Sequence, residues 1–135
     1  MCAIMVIKEL QIKTSTRNDL IDITPLIEKV VTVAEISEGI CVLFVPHTTA
    51  AVTINENADA SVKVDIIASL NMLVPVGNHY QHREGNADAH IKASLIGASE
   101  CILVKGGRLL LGTWQGIFFC EFDGPRTRKI LVKLI

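Results

Sequence analysis

The order of apolar and polar positions divides the chain into short segments of two kinds. Residues 1–13 (MCAIMVIKELQIK) mix β-branched with charged residues and predict a strand; a polar turn follows at TSTRND, and residues 20–23 predict a second short strand. Thr24-Pro25 sets an N-cap residue before proline at the first helical position, and the periodic run LIEKVVTVAEI is expected to close at Gly39 as a C-cap. Residues 40–45 (ICVLFV) are apolar without alternation, the pattern of a strand covered on both faces, and Pro46 stops it. HTTAAVTINE resumes as a strand after a short irregular turn. Asn57 then opens a second helix with the stripe Val62, Ile66, Ile67 and Leu70, ended by Pro75-Val76-Gly77. Residues 77–86 (GNHYQHREGN) read as a polar loop. Asn86 opens a third helix whose stripe is Ile91, Leu95 and Ile96, with Gly97 near its close. The remainder separates short apolar runs with Gly-Gly, Leu-Gly-Thr and Asp-Gly-Pro, which predicts an antiparallel meander. Helices fall mostly in the first two thirds and strands gather at the end. That order favours an α+β fold over a doubly wound parallel sheet.

Composition narrows the setting. A chain of 135 residues, half of them apolar, is expected to form one domain over residues 1–135, burying roughly two thirds of its unfolded surface. With 13 Lys+Arg against 14 Asp+Glu the net charge is -1, so no nucleic acid or anionic membrane is expected as a partner. Cys2, Cys41, Cys101 and Cys120 form no C-x-x-C and three of them sit in apolar runs, which suits reduced thiols in a cytoplasmic protein. The N-terminal apolar run is too short for a signal peptide, and the longest charge-free stretch is interrupted by Pro46, His47 and threonines, so no membrane span is expected. Such high hydropathy in a small domain suggests that another subunit covers some apolar surface.

The tetrapeptide Asn-Ala-Asp-Ala occurs twice, at 57–60 and 86–89, each time ahead of a helical pattern. An Asn side chain accepts from an unpaired backbone N–H and the Asp carboxylate favours the positive end of the helix, a cap contributing about 1 kcal/mol. Two helix starts explain the repeat; its flanks carry the chemistry. His47 ends a strand, His82 lies in the loop, and His90 falls in the first turn of the third helix. Three neutral imidazoles converging on one point would suit a divalent ion, zinc or magnesium, with an open coordination position. No metal-binding spacing fixes that set, and surface or capping histidines are the plain alternative. Glu56 and Glu84 lie near the same elements as candidate acid/base groups, although a lone carboxylate is ordinarily solvated.

A second element is GTWQGIFFCEFDGPRTRK. Its Trp114-Gln115-Gly116 starts a strand and Asp123-Gly124-Pro125 turns the chain back, leaving Arg126 and Arg128 near the turn. Guanidinium groups there, like the N-termini of the two repeat helices, suit phosphate or carboxylate, while most turn arginines are simply solvated. Thr48, Asn57, Asn86, Gln115 and Arg126 are therefore the expected substrate contacts, with His47, Glu56 and Glu84 as catalytic groups. Cys120 alternates onto a face with Phe118 and Phe122, as a core thiol rather than a nucleophile.

Together HTTAAVTINENAD, HREGNADAHIKASLIG and GRLLLGTWQGIFFCEFDGPR closely resemble the YjbQ-like family, whose members are often labelled secondary thiamine-phosphate synthase. The resemblance covers residues from about 40 onward by motif, and the whole chain by element order. It implies a compact two-sheet β-sandwich of mostly antiparallel strands with about three helices, assembled as a homotrimer. It also implies that His47, His82 and His90 cluster at a site holding a metal or an anion. Thiamine phosphate forms when pyrophosphate leaves a pyrimidine precursor as a thiazole phosphate attacks, which requires neutralised phosphate charge and dry positioning. The chain has no P-loop, no barrel length and no aspartate-rich diphosphate motif. A transferase or hydrolase acting on a small phosphorylated metabolite fits the same residues; the alternative is a non-catalytic homotrimer holding an anion or structural metal.

Overall fold

The computed structural model describes residues 6–135. Strand β1, Lys8–Lys13, meets the first expectation; the first five residues of that predicted strand, Cys2 among them, lie outside the described residues. The order continues β2 (Asp19–Asp22), α1 (Thr24–Ala34), β3 (Glu38–Phe44), β4 (Ala50–Glu56), α2 (Ala60–Leu73), α3 (Ala87–Ile96), β5 (Ser99–Lys105), β6 (Arg108–Leu109), β7 (Gln115–Glu121) and β8 (Thr127–Leu134). The strands form a five-stranded sheet, β1-β8-β3-β5-β6, and a three-stranded sheet, β2-β7-β4, with every pairing antiparallel. The fold is α+β, as the element order predicts.

Period-two alternation builds two cores. Cys41, Leu43, Ile102, Val104, Ile130 and Val132 of the larger sheet meet Val52, Ile117 and Phe119 of the smaller one, and α1 adds Ile27 and Val31. On its other face the smaller sheet presents Ala51, Phe118 and Cys120, which together with Leu20 and Phe122 pack under α2 and α3. Each large aliphatic or aromatic side chain buried this way contributes roughly 1.5–3 kcal/mol. Cys120 is buried beside Phe118 and Phe122, as its position in the alternation predicts, and burial pushes its thiol far up from the usual value. Cys41 is likewise pushed up to about 12 by burial, whereas Cys101 is exposed.

Four local expectations are corrected. Helix α1 closes at Glu35 in the left-handed conformation (φ 56°), not at Gly39. Gly39 instead lies inside β3, where the Ile135 carbonyl oxygen occupies the space a Cβ would need. Thr24 is already helical, and the Asp22 carboxylate accepts from both its N–H (2.9 Å) and its hydroxyl (2.6 Å), so Asp22 does the capping expected of Thr24. Strand β3 is buried on one face only, because none of the described residues forms a layer over the outer face carrying Ile40 and Phe44. The final segment is not a meander: Gly106 (φ 62°) and Gly107 (φ 74°) turn β5 into β6, but β7 crosses to the smaller sheet and β8 returns to the larger.

Helix α3 departs furthest from its pattern. Its buried face is Asp88, Ala89, Lys92 and Ala93, while Ile91 and Leu95 of the expected stripe are exposed and Ile96 is partly buried. Alanines let the helix approach β4 closely, and the two charges on that face satisfy one another. In α2, Ile66, Ile67 and Leu70 rest partly buried on the second core, in keeping with the expected stripe, and none of its residues is fully buried.

Candidate functional site

A polar cleft of about 400 Å³ opens where β4 begins, β7 ends, β8 begins and α3 begins. Its walls include His47, Thr48, Glu84, Asn86, His90 and Arg126, each singled out by sequence, together with Asp123 and Arg128. A smaller hollow of about 280 Å³, lined by Tyr80, His82, Ala87 and Ile91 among others, shares His90 with the cleft. The rings of His82 and His90 meet edge to face, 5.1 Å between centroids.

His47 follows β3 and is held by β8: the Lys129 amide donates to its Nε2 at 3.0 Å. An imidazole nitrogen that accepts carries no proton, so the ring is neutral with its proton on Nδ1. Burial lowers its pKa first and the Arg128 charge second, against an opposing pull from Glu121.

The floor of the cleft is a buried network. Arg128 donates from Nε to Glu121 Oε2 at 2.8 Å and from Nη2 to Glu121 Oε1, and Nη2 also reaches Thr49 Oγ1 at 2.8 Å. Thr14 Oγ1 and the Asp123 amide donate to the same carboxylate, at 2.8 Å and 2.9 Å. Burial alone would raise the Glu121 carboxyl; the hydrogen bonds from Arg128, the Asp123 amide and Thr14, with the Arg128 charge, hold it below the ordinary range. At the rim Asp123 Oδ2 accepts from Asn86 Nδ2 at 2.8 Å and Arg126 Nη2 at 3.0 Å. These bonds and the Arg126 and Arg17 charges outweigh burial and lower the Asp123 carboxyl. The Asn86 side chain is thus spent on Asp123 and not on capping α3, and its Oδ1 is buried without a partner.

Three expected residues stand elsewhere. Glu56 and Gln115 are register partners at the far end of the smaller sheet, about 20 Å along β4 from the cleft at 3.3 Å per residue. Gln115 Oε1 accepts from the Gly112 amide at 2.8 Å, closing a turn. Asn57 packs against Gly116 and donates to Asp22 at 3.4 Å. The structure brings the rings of His82 and His90 together and sets His47 and His90 on the walls of one cleft. His47 Nε2 is already bonded, and among the described residues no group of three His, Cys, Asp or Glu side chains could hold a metal ion. Sequence reasoning missed Glu121, whose signal was legible: it shares a face of β7 with Ile117 and Phe119, and a charge among apolar neighbours demands a partner.

Fold and cleft together define the class: an antiparallel α+β sandwich with a histidine- and arginine-lined cleft at one end of its smaller sheet. Residues 8–135 match the family described as UPF0047 protein YjbQ-like, and the chain belongs to that family. It is 55% identical to a UPF0047 protein of Methanocaldococcus jannaschii over 100% of this chain and 98% of the relative. It is 48% identical to the UPF0047 protein YugU of Bacillus subtilis, over 96% and 98% respectively. The crystal structure of an uncharacterized conserved protein of the YjbQ/UPF0047 family from Clostridium acetobutylicum superimposes with a TM-score of 0.93 at 53% identity, covering 95% of this chain and 99% of that one. A hypothetical protein from Aeropyrum pernix K1 gives a TM-score of 0.92 at 38% identity over 97% and 98%.

Proposed function

We propose that the chain is a small-metabolite enzyme whose cleft takes the phosphate of a phosphorylated substrate, as the resemblance to secondary thiamine-phosphate synthases implies. The observation that carries this reading is the convergence of His47, Glu84, Asn86, His90 and Arg126 on one polar cleft from three separate chain segments. Arg126 is half exposed with only part of its guanidinium committed to Asp123, and the start of α3, which has no side-chain cap, borders the same cleft through Asn86 and His90. His47, neutral with Nε2 occupied, offers an Nδ1 proton to developing negative charge and does not serve as a base. His90 and Glu84 are the acid/base pair.

The test is calorimetric titration with inorganic phosphate, followed by turnover of the pyrimidine pyrophosphate and thiazole phosphate precursors. Arg126→Ala should weaken phosphate binding about tenfold, the loss of one charge-assisted hydrogen bond. His90→Ala and Glu84→Gln should keep that binding and lose turnover. Unchanged phosphate affinity in Arg126→Ala sinks the reading. A chelator arm, with zinc or magnesium restored, separates anion binding from metal binding: phosphate affinity should survive chelation. The homotrimer belongs to the same proposal, supported by Phe44, Leu103, Met72, Leu73 and Leu95 standing exposed. Light scattering should return three chain masses, and one mass would refute it.

A further inference from the structure

Helix α3 is anchored by charge. Asp88 and Lys92, one turn apart, are both completely buried. The Lys92 ammonium donates to Asp88 Oδ2 at 3.3 Å, Asn18 Oδ1 at 3.1 Å and Asn71 Oδ1 at 2.6 Å, so each of its three protons has an acceptor. Asp88 Oδ1 accepts in turn from Arg17 Nη2 at 3.1 Å, and that same nitrogen donates to the Gly85 carbonyl at 3.1 Å. Asn18 belongs to the turn before β2 and Asn71 to the last turn of α2, so one ammonium joins three parts of the chain.

Stability alone does not account for a buried ion pair, since an apolar pair of similar volume is often as stable or more so. What the two acceptors outside α3 add is direction: Asn18 and Asn71 specify how α3 is rotated about its axis. At 100° per residue His90 lies about 160° round the helix from Lys92 and about 200° from Asp88, on the face opposite the anchor. The rotation fixed on the buried side therefore sets where His90 points on the other.

We propose that Lys92 is a positioning residue for His90, holding its ring at the junction of the cleft and the hollow beside His82. The meaning of this device rests on the cleft reading above, but ring geometry is read with no ligand present, so the two fail separately. Lys92→Met keeps the side chain's length and removes its donors. In proton NMR of the full chain, the His90 ring signals, assigned by their loss in His90→Ala, carry a shift from the neighbouring ring that His82→Ala abolishes. In Lys92→Met that shift should collapse while the His47 ring and the methyls of Ile27, Val31 and Leu43 stay in place. His90 signals that remain at their wild-type positions in the folded variant overturn the proposal. So does a proportionate movement of every methyl signal, the mark of a merely structural lysine. Should Lys92→Met not fold, Asn18→Ala and Asn71→Ala each remove one acceptor from outside α3; both should shift His90, and the proposal falls if neither does.

Discussion

Glu121 shows how one residue organises its surroundings. A carboxylate on the inner face of β7 would be costly alone, and Arg128, Thr14, Thr49 and the Asp123 amide are arranged so that neither it nor its partner is left unpaired. Glu121→Gln preserves shape but leaves the Arg128 charge buried without a counter-charge; urea denaturation should show a loss of about 3–5 kcal/mol. Acidification probes the same groups. The depressed pKa of His47 means the unfolded chain takes up a proton more readily than the folded one. The stability this ring contributes is complete above the ordinary histidine value of 6.5 and is lost as pH falls through its folded value. Glu121 and Asp123, also depressed, give a second loss beginning at their ordinary values of 4.5 and 3.8. Urea midpoints measured against pH should fall in those two steps, and His47→Gln should remove only the first.

At the scale of elements, the repeated tetrapeptide divides its labour differently in its two copies. In the first, Asp59 rather than Asn57 caps α2, accepting from the Ser61 amide at 2.9 Å and its hydroxyl at 2.7 Å. In the second, Asn86 occupies the cap position but turns to Asp123, and Asp88 is drawn into the ion pair under the helix. Asp59→Ala should lower the melting temperature and speed exchange of the Ser61 amide, while Asn57→Ala should leave that amide protected. The positions of both helix starts were legible because Asn, Asp and Ala sit where capping and propensity favour them. The roles of individual side chains were not, because each depends on a partner far away in sequence. The face of α3 was misread for a related reason: periodicity marks where apolar residues lie, and here Ile91 and Leu95 lie outside while Lys92 is buried by long-range acceptors.

For the whole molecule, alternation and turn chemistry sufficed for the α+β class, yet neither contains the information that β7 leaves one sheet for the other. That crossing decides which residues share the cleft, and it explains why Glu56, Asn57 and Gln115, close in pattern to the site residues, finish at the opposite end of the small sheet. β7 is paired along both edges, with β2 and with β4, and buried on both faces, with Phe119 in one core and Phe118 and Cys120 in the other. No partial opening frees its backbone without dismantling a sheet and both cores together. Its amides should therefore report global unfolding: in native-state hydrogen exchange Phe118, Phe119 and Cys120 should be among the last to exchange, each yielding the full unfolding free energy. Faster exchange there than in β8 would mean that the small sheet and the α2–α3 layer open as a unit of their own, carrying the cleft with them.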